Sequence, residues 1–263
     1  MGSASRQALR TAIDVLTAAK GVSVATGEQL MTAGRAVEES GQLRTLLGDP
    51  AIAPDEKSAI VAKIFPGLEK TAASLLTGIV QSRWSNGDEL VAGIEEVGVR
   101  AIAQGDGHTK AIEAELFAFA RIVASDPELE LALGNKLAEG ESKAALVDAL
   151  LGKKAHPGTL AIVDHLVRSP RGRRVGEMFA QAADVVAASG GRRIATVTSA
   201  APLSAKQQDR LAAALKKTYD SDIQLNAVVD PAVIGGVRIQ IGDDVIDGTV
   251  AARLADLRLQ LAG

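Results

Sequence analysis

Two stretches near the end of the chain decide the fold: Ile194-Ala195-Thr196-Val197-Thr198-Ser199-Ala200 and Val229-Asp230-Pro231-Ala232-Val233-Ile234-Gly235-Gly236-Val237-Arg238-Ile239-Gln240-Ile241-Gly242-Asp243-Asp244-Val245-Ile246-Asp247-Gly248-Thr249. Val237, Ile239 and Ile241 alternate with Arg238 and Gln240, and Ile223, Leu225, Ala227 and Val229 alternate likewise, which is the period of half-buried strands. Between the first two strands, Ser204 and Gln207 are spaced as a capping box ahead of a helix bearing Leu211 and Leu215. Gly242-Asp243-Asp244 reads as the turn into Val245-Ile246. A last helix places Val250, Leu254, Leu257 and Leu261 along one stripe. The order strand, helix, strand, strand, strand, helix predicts a small α/β module over 191–263.

Everything before Ser189-Gly190-Gly191 has the helical period instead. Leu9, Ala12, Ile13 and Leu16 predict a helix over 4–19, stopped by Gly21. Leu30, Ala33 and Val37 continue the pattern, Gly48-Asp49-Pro50 breaks it, and further helices are expected over 54–65, 69–83 and 87–104. Gly105-Asp106-Gly107 has the chemistry of a linker.

The helical part also repeats itself. A shift of 86 residues lays Arg35 on Arg121, Val37 on Val123, Leu43 on Leu129, Leu47 on Leu133, Gly48 on Gly134, Lys57 on Lys143, Ala59 on Ala145 and Val61 on Val147. Leu30 with Leu116, Ile60 with Leu146 and Ile64 with Leu150 keep the apolar type, and after a slip of one residue Arg83 falls on Arg168 and Ile94 on Phe179. Agreement over a whole module marks two related helical units. The expected class is therefore mostly α: a helical bundle with a duplicated unit, then a small α/β carboxy-terminal module. The divisions are 1–107, 108–190 and 191–263.

Composition narrows the functions. The 263 residues are 47% hydrophobic but 2% aromatic, so the core is built of Ala, Leu, Val and Ile, as suits closely packed helices. With no cysteine, disulfides, thiol nucleophiles and thiolate metal sites are excluded. A net charge of −3 with interspersed signs gives no nucleic-acid-like field, and no apolar run approaches the roughly 18 residues of a membrane span.

Chemistry-bearing clusters are few. Asp243, Asp244 and Asp247 lack the further ligands of a calcium loop, and a hairpin turn accounts for them. His108, His156 and His165 lie at no zinc-ligand spacing and read as surface or helix-terminus residues. No Gly-x-Ser-x-Gly elbow occurs, and neither Gly190-Gly191 nor Gly235-Gly236 belongs to a phosphate loop. Gly190-Gly191 reads as a linker, and Gly235-Gly236 as a bulge or close backbone approach within a strand. Arg168, Arg171, Arg173 and Arg174, with Arg192 and Arg193, form the one basic concentration. It is the sole basis for an alternative function, a helical adaptor binding nucleic acid, and no aromatic residues accompany it for base stacking. No catalytic residue, cofactor site or metal site is expected.

The span Ala195–Leu261, with Thr198-Ser199-Ala200-Ala201-Pro202-Leu203, Gln207, Val229-Asp230-Pro231, Ile234-Gly235-Gly236, Ile241-Gly242-Asp243, Val245-Ile246-Asp247-Gly248 and Arg253-Leu254, resembles the delta subunit family of F-type ATP synthase, the oligomycin-sensitivity-conferring protein family. The break at Gly48-Asp49-Pro50, Lys57, and Arg171/Arg174 with Phe179 resemble it too. The extra helical repeat departs from the usual bacterial length and looks like the long actinobacterial form.

The resemblance implies a non-catalytic stator subunit, present once in a hetero-oligomeric complex at the cytoplasmic face of the cell membrane and not inserted in it. Its implied partners are the amino-terminal helices of alpha subunits and a b-type peripheral stalk subunit; with no stalk segment fused here, that stalk is expected to be a separate chain. The implied alpha-binding groove lies between the first and fifth helices, at Leu9, Ile13 and Leu16 with Leu75, Leu76 and Ile79. Leu160, Val163 and Leu166 of the second unit are an alternative. Leu254, Leu257 and Leu261 are the implied stalk contacts, and Gly235, Gly236, Gly242, Asp247 and Gly248 are implied structural positions.

Overall fold

The computed structural model describes residues 1–135, 138–152, 154–219, 222–241 and 244–250, without the side chains of 192 and 193. Its contacts divide the chain into two units, Met1–Val186 and Ala187–Gly263. The first is helical and the second carries the sheet, as the change of period predicts.

The helices of the first unit start where local chemistry starts them. α1 (Ser3–Ala18) turns Ala8, Ala12 and Leu16 inward. α2 (Val24–Glu39) opens on a reciprocal cap, Thr26 N donating to Ser23 Oγ and Ser23 N donating to Thr26 Oγ1. α3 (Gly41–Gly48) ends at the predicted Gly-Asp-Pro break, and α4 (Pro54–Ile64) begins with proline and two acids in its first turn. α5 (Lys70–Gln81) and α6 (Gly87–Asp106) complete the first repeat. α7 (Thr109–Ser125), α8 (Pro127–Gly134), α9 (Gly140–Leu151), α10 (Pro157–Arg168) and α11 (Val175–Ser189) follow in the same order.

The 86-residue register is visible in the elements themselves. Shifted by it, α3 coincides with α8 end for end, and α4 starts where α9 starts. Buried positions agree as well: Val37 with Val123, Leu47 with Leu133, Val61 with Val147, and Lys57 with Lys143 at 3% and 4% exposure. Leu30, Leu76, Ile79, Leu90 and Ile94 centre the first core. In the second repeat Ile112, Leu116, Phe119, Ile162 and Phe179 are buried, with the Phe119 and Phe179 rings 5.1 Å apart.

The expected linker at Gly105-Asp106-Gly107 is a helix end instead. α6 runs through Asp106, Gly107 caps it in the left-handed conformation at φ 80°, and α7 starts two residues later. Turn chemistry marks a C-cap and a linker alike, so sequence does not separate them.

The second unit holds β1 (Arg192–Ser199), α12 (Ala205–Tyr219), β2 (Asp222–Val229), β3 (Val237–Ile241) and β4 (Asp244–Asp247) in a sheet of order β2-β1-β3-β4. β1 and β2 are parallel, as a helical crossover allows, while β1–β3 and β3–β4 are antiparallel. Ala195 pairs with Leu225 and Val197 with Ile239, so Ala195, Val197, Leu225, Ile239 and Ile241 share the face that packs on Leu211 and Leu215 of α12. The predicted capping box opens α12, with Ser204 N donating to Gln207 Oε1 at 2.9 Å.

Gly235 and Gly236 precede β3 rather than lying within a strand. Both have positive φ, 64° and 80°, and a Cβ on Gly236 would stand 2.3 Å from the Gly248 carbonyl oxygen. The close approach is across the turn: Gly248 N donates to Val237 O, and Val250 N to Gly235 O. Asp247 accepts from Thr249 N at 3.0 Å, and hydrogen bonds from Thr249 hold its carboxyl below the usual range. Gly242, Asp243 and the stripe Leu254, Leu257, Leu261 lie outside the described residues.

Candidate docking surface of the helical unit

α1 is pinned at its start. Gly2 N donates to both oxygens of Glu89, at 3.1 and 3.0 Å, and the buried Ser5 hydroxyl accepts from Ser85 N at 2.9 Å. The Gly2 and Ser5 hydrogen bonds hold the Glu89 carboxyl below its ordinary range, so it stays charged opposite the chain's first residues. α1 packs on α5 and α6. Just past α5, Trp84 Nε1 donates back to Ile79 O at 2.8 Å, closing the helix's end over the core.

Of the six residues taken from sequence as the alpha-facing groove, four belong to the core. Leu16, Leu75, Leu76 and Ile79 are 2%, 3%, 0% and 1% exposed, whereas Leu9 and Ile13 are half-buried. Val15, 45% exposed, lies two residues from Ile13 and so on another side of the same helix. The two kinds of leucine have the same spacing; only packing tells them apart.

In the register of the repeat, α1 falls on α6, and α6 has no open apolar face. It packs against α1, α2, α3, α5, α7 and α10. Ile13 and Val15 correspond to Val99 and Ala101, 3% and 0% exposed, and Leu9 corresponds to Glu95. The alternative site closes too: Val163 and Leu166 are 0% and 2% exposed, and Leu160 is half-buried.

A polar seam joins the repeats where α2, α6 and α10 meet. Arg35 Nη1 stands 2.6 Å from Nδ1 of His165, and Ser169 donates to Glu38. Burial first, then the Arg35 charge, pushes His165 down to about 4, so the neutral ring accepts from the guanidinium. Glu95 receives Arg171 Nη2 at 2.6 Å and Arg173 Nη1 at 2.6 Å, with Arg173 Nη2 on its other oxygen at 2.9 Å. Arg168 binds Glu141 at 2.6 Å and Asp164 at 2.9 Å.

The seam corrects the nucleic-acid reading of the basic cluster. Arg168, Arg171 and Arg173 are committed to carboxylates of α6, α9 and α10, so phosphate binding would have to break ion pairs that the fold already makes. Arg171 even takes φ 51° beside Gly172, an uncommon conformation for a residue with a Cβ, in the turn where it meets Glu95. Those acids lie up to 78 residues away in sequence, which is why the cluster looks free when read linearly.

Among the described residues no three His, Asp or Glu side chains form a metal-holding group, and no helix is long and apolar enough to cross a membrane. Asp244 and Asp247 are exposed on the short strand β4.

The family profile for the ATP synthase delta (OSCP) subunit matches residues 99–261. ATP synthase subunit delta of Leifsonia xyli subsp. xyli is 48% identical over 264 residues, covering 100% of both chains. That of Streptomyces griseus subsp. griseus is 40% identical over 271 residues, again covering 100% of each. A chain in the cryo-EM structure of the Toxoplasma gondii mitochondrial ATP synthase hexamer is similar at 21% identity and TM-score 0.41, over 63% of this chain and 97% of that one. This chain belongs to the ATP synthase delta (OSCP) subunit family, the structural, non-catalytic stator subunits of the peripheral stalk.

Proposed function

We propose that this stator subunit ties the catalytic head to a b-type stalk subunit as a single copy on the cytoplasmic face of the membrane complex, and that it grips the head through α1 and α5 of its first repeat. Residues 1–107 then act as the head-binding part, 108–190 as a rigid second repeat, and 191–263 as the stalk-binding module. The carrying observation is the contrast between α1, whose Leu9 and Ile13 are half-buried, and its counterpart α6, which carries no exposed apolar residue. An amphipathic helix from the amino terminus of an alpha subunit is the partner chemistry such a face fits. Leu16, Leu75, Leu76 and Ile79 act beneath it as the floor, and Leu254, Leu257 and Leu261 remain the proposed stalk contacts.

Torque on the head pulls on the subunit without asking it for chemistry, and the polar seam supports that role by locking the repeats together. Titration of the full chain with a synthetic alpha amino-terminal helix, followed by calorimetry, tests the reading. Leu9→Asp and Ile13→Asp are expected to weaken binding at least tenfold each, since each puts a charge into an apolar contact. Unchanged affinity in both would overturn it.

A further inference from the structure

Outside the docking face and the seam, one cluster of metal-ligating side chains is unaccounted for. The turn after α6 and the start of α10 bring together His108 and His156, 48 residues apart in sequence, with ring centres 5.0 Å apart. Each ring is backed by a carboxylate: His108 Nδ1 lies 2.9 Å from Asp106 Oδ1, and His156 Nδ1 lies 2.8 Å from Glu115 Oε1. Both carboxylates are themselves fixed. Asp106 Oδ2 accepts from Gly158 N at 2.9 Å, and Glu115 Oε2 accepts from His156 N at 3.0 Å and from Thr159 Oγ1 at 2.5 Å.

The tautomers follow from the partners. A carboxylate oxygen facing Nδ1 accepts from it, so in each ring Nδ1 is the donor and Nε2 is the nitrogen left for a ligand. A histidine whose Nδ1–H is held by a carboxylate is the usual arrangement behind a metal-bound imidazole. A tetrahedral ion about 2.1 Å from two such nitrogens sets the ring centres roughly 5 Å apart.

We infer that His108 and His156 form a two-histidine site for a divalent transition ion of the imidazole-preferring class, such as Zn²⁺, bound through both Nε2 atoms with water completing its shell. Asp106 and Glu115 orient the rings. The bound ion fastens the α6–α7 turn to the start of α10. The site is peculiar to the second repeat: Gln29 holds the place of Glu115, accepting from Glu69 N at 2.8 Å at the start of α5, and Val22 holds that of His108. Water-completed coordination agrees with the lack of a third protein ligand among the described residues.

Calorimetric titration of the full chain with zinc chloride alone tests this, alongside melting with and without the ion. One saturable ion per chain is expected, with a higher melting temperature, because only the folded chain brings the rings together. His108→Asn and His156→Asn should each weaken binding at least tenfold, and Glu115→Gln by about tenfold through its orienting role. The His108 side chain is 65% exposed, so its replacement leaves a folded protein in which to measure the loss. Replacing zinc with cobalt adds a visible absorption band that should vanish in the same variants. Absence of saturable binding, or binding and cobalt absorption unchanged in His108→Asn, would overturn the site.

Discussion

Leu47 and Leu133, Val61 and Val147, and Lys57 and Lys143 are equivalent pairs whose members are equally buried, but Leu9 and its counterpart Glu95 are put to opposite uses. On α1 the position stays half-open and apolar; on α6 it is a carboxylate that holds two arginines of the second repeat. Duplication has therefore kept the core and varied the surface: in the proposed reading α1 meets a partner, while α6 holds the repeats together. The difference goes with packing: α6 lies against helices of both repeats, whereas α1 packs on α5 and α6.

The strongest test of equivalence is in the cores. Leu47→Ala and Leu133→Ala, at 1% and 0% exposure, should each cost about 2–5 kcal/mol in denaturant unfolding. A neutral result for either would break the claim that the repeats are packed alike. A somewhat smaller loss is expected where they differ: a Cβ on Gly27 would stand 2.5 Å from Gly98 O, so Gly27→Ala should cost about 1–3 kcal/mol by forcing α2 off α6. The same position in the second repeat is Glu113, so the glycine contact at this place belongs to the first copy.

The seam predicts a pH dependence. His165 takes a proton near 6.5 when unfolded and at about 4 when folded, so between these values the unfolded chain binds more protons. Stability should fall as pH drops through that window, by about 3 kcal/mol in all. His165→Leu should flatten this slope, as read from denaturant midpoints at pH 7 and pH 4.5; an unchanged slope would remove the buried neutral ring from the account. The smallest effect belongs to Leu131, 75% exposed on α8: Leu131→Asp should change stability by less than about 0.5 kcal/mol and leave peptide binding alone.

Helical period, breaks, caps and the repeat were legible from residues alone, because each depends on neighbours within a turn or two. So was the strand module, whose alternation at Val237, Ile239 and Ile241 reappears as one buried face on α12. What stayed hidden depends on distant packing. Leu9 and Leu16 look alike in a stripe, yet one is half-buried at the edge of the core and the other lies within it. Arg171 and Arg173 look free until Glu95 is folded against them, and His108 and His156 have no telling spacing until α10 returns to the end of α6. Gly107 misled in the opposite sense, since the residue that ends a helix is the one that begins a linker.

The most direct measurement is affinity of the full chain for an alpha amino-terminal helix in two variants compared side by side, Leu9→Asp/Ile13→Asp in the first repeat and Leu131→Asp in the second. The account predicts at least a hundredfold loss in the first, if the two tenfold effects add, and none in the second. Equal affinities, or a loss confined to the second repeat, would contradict it.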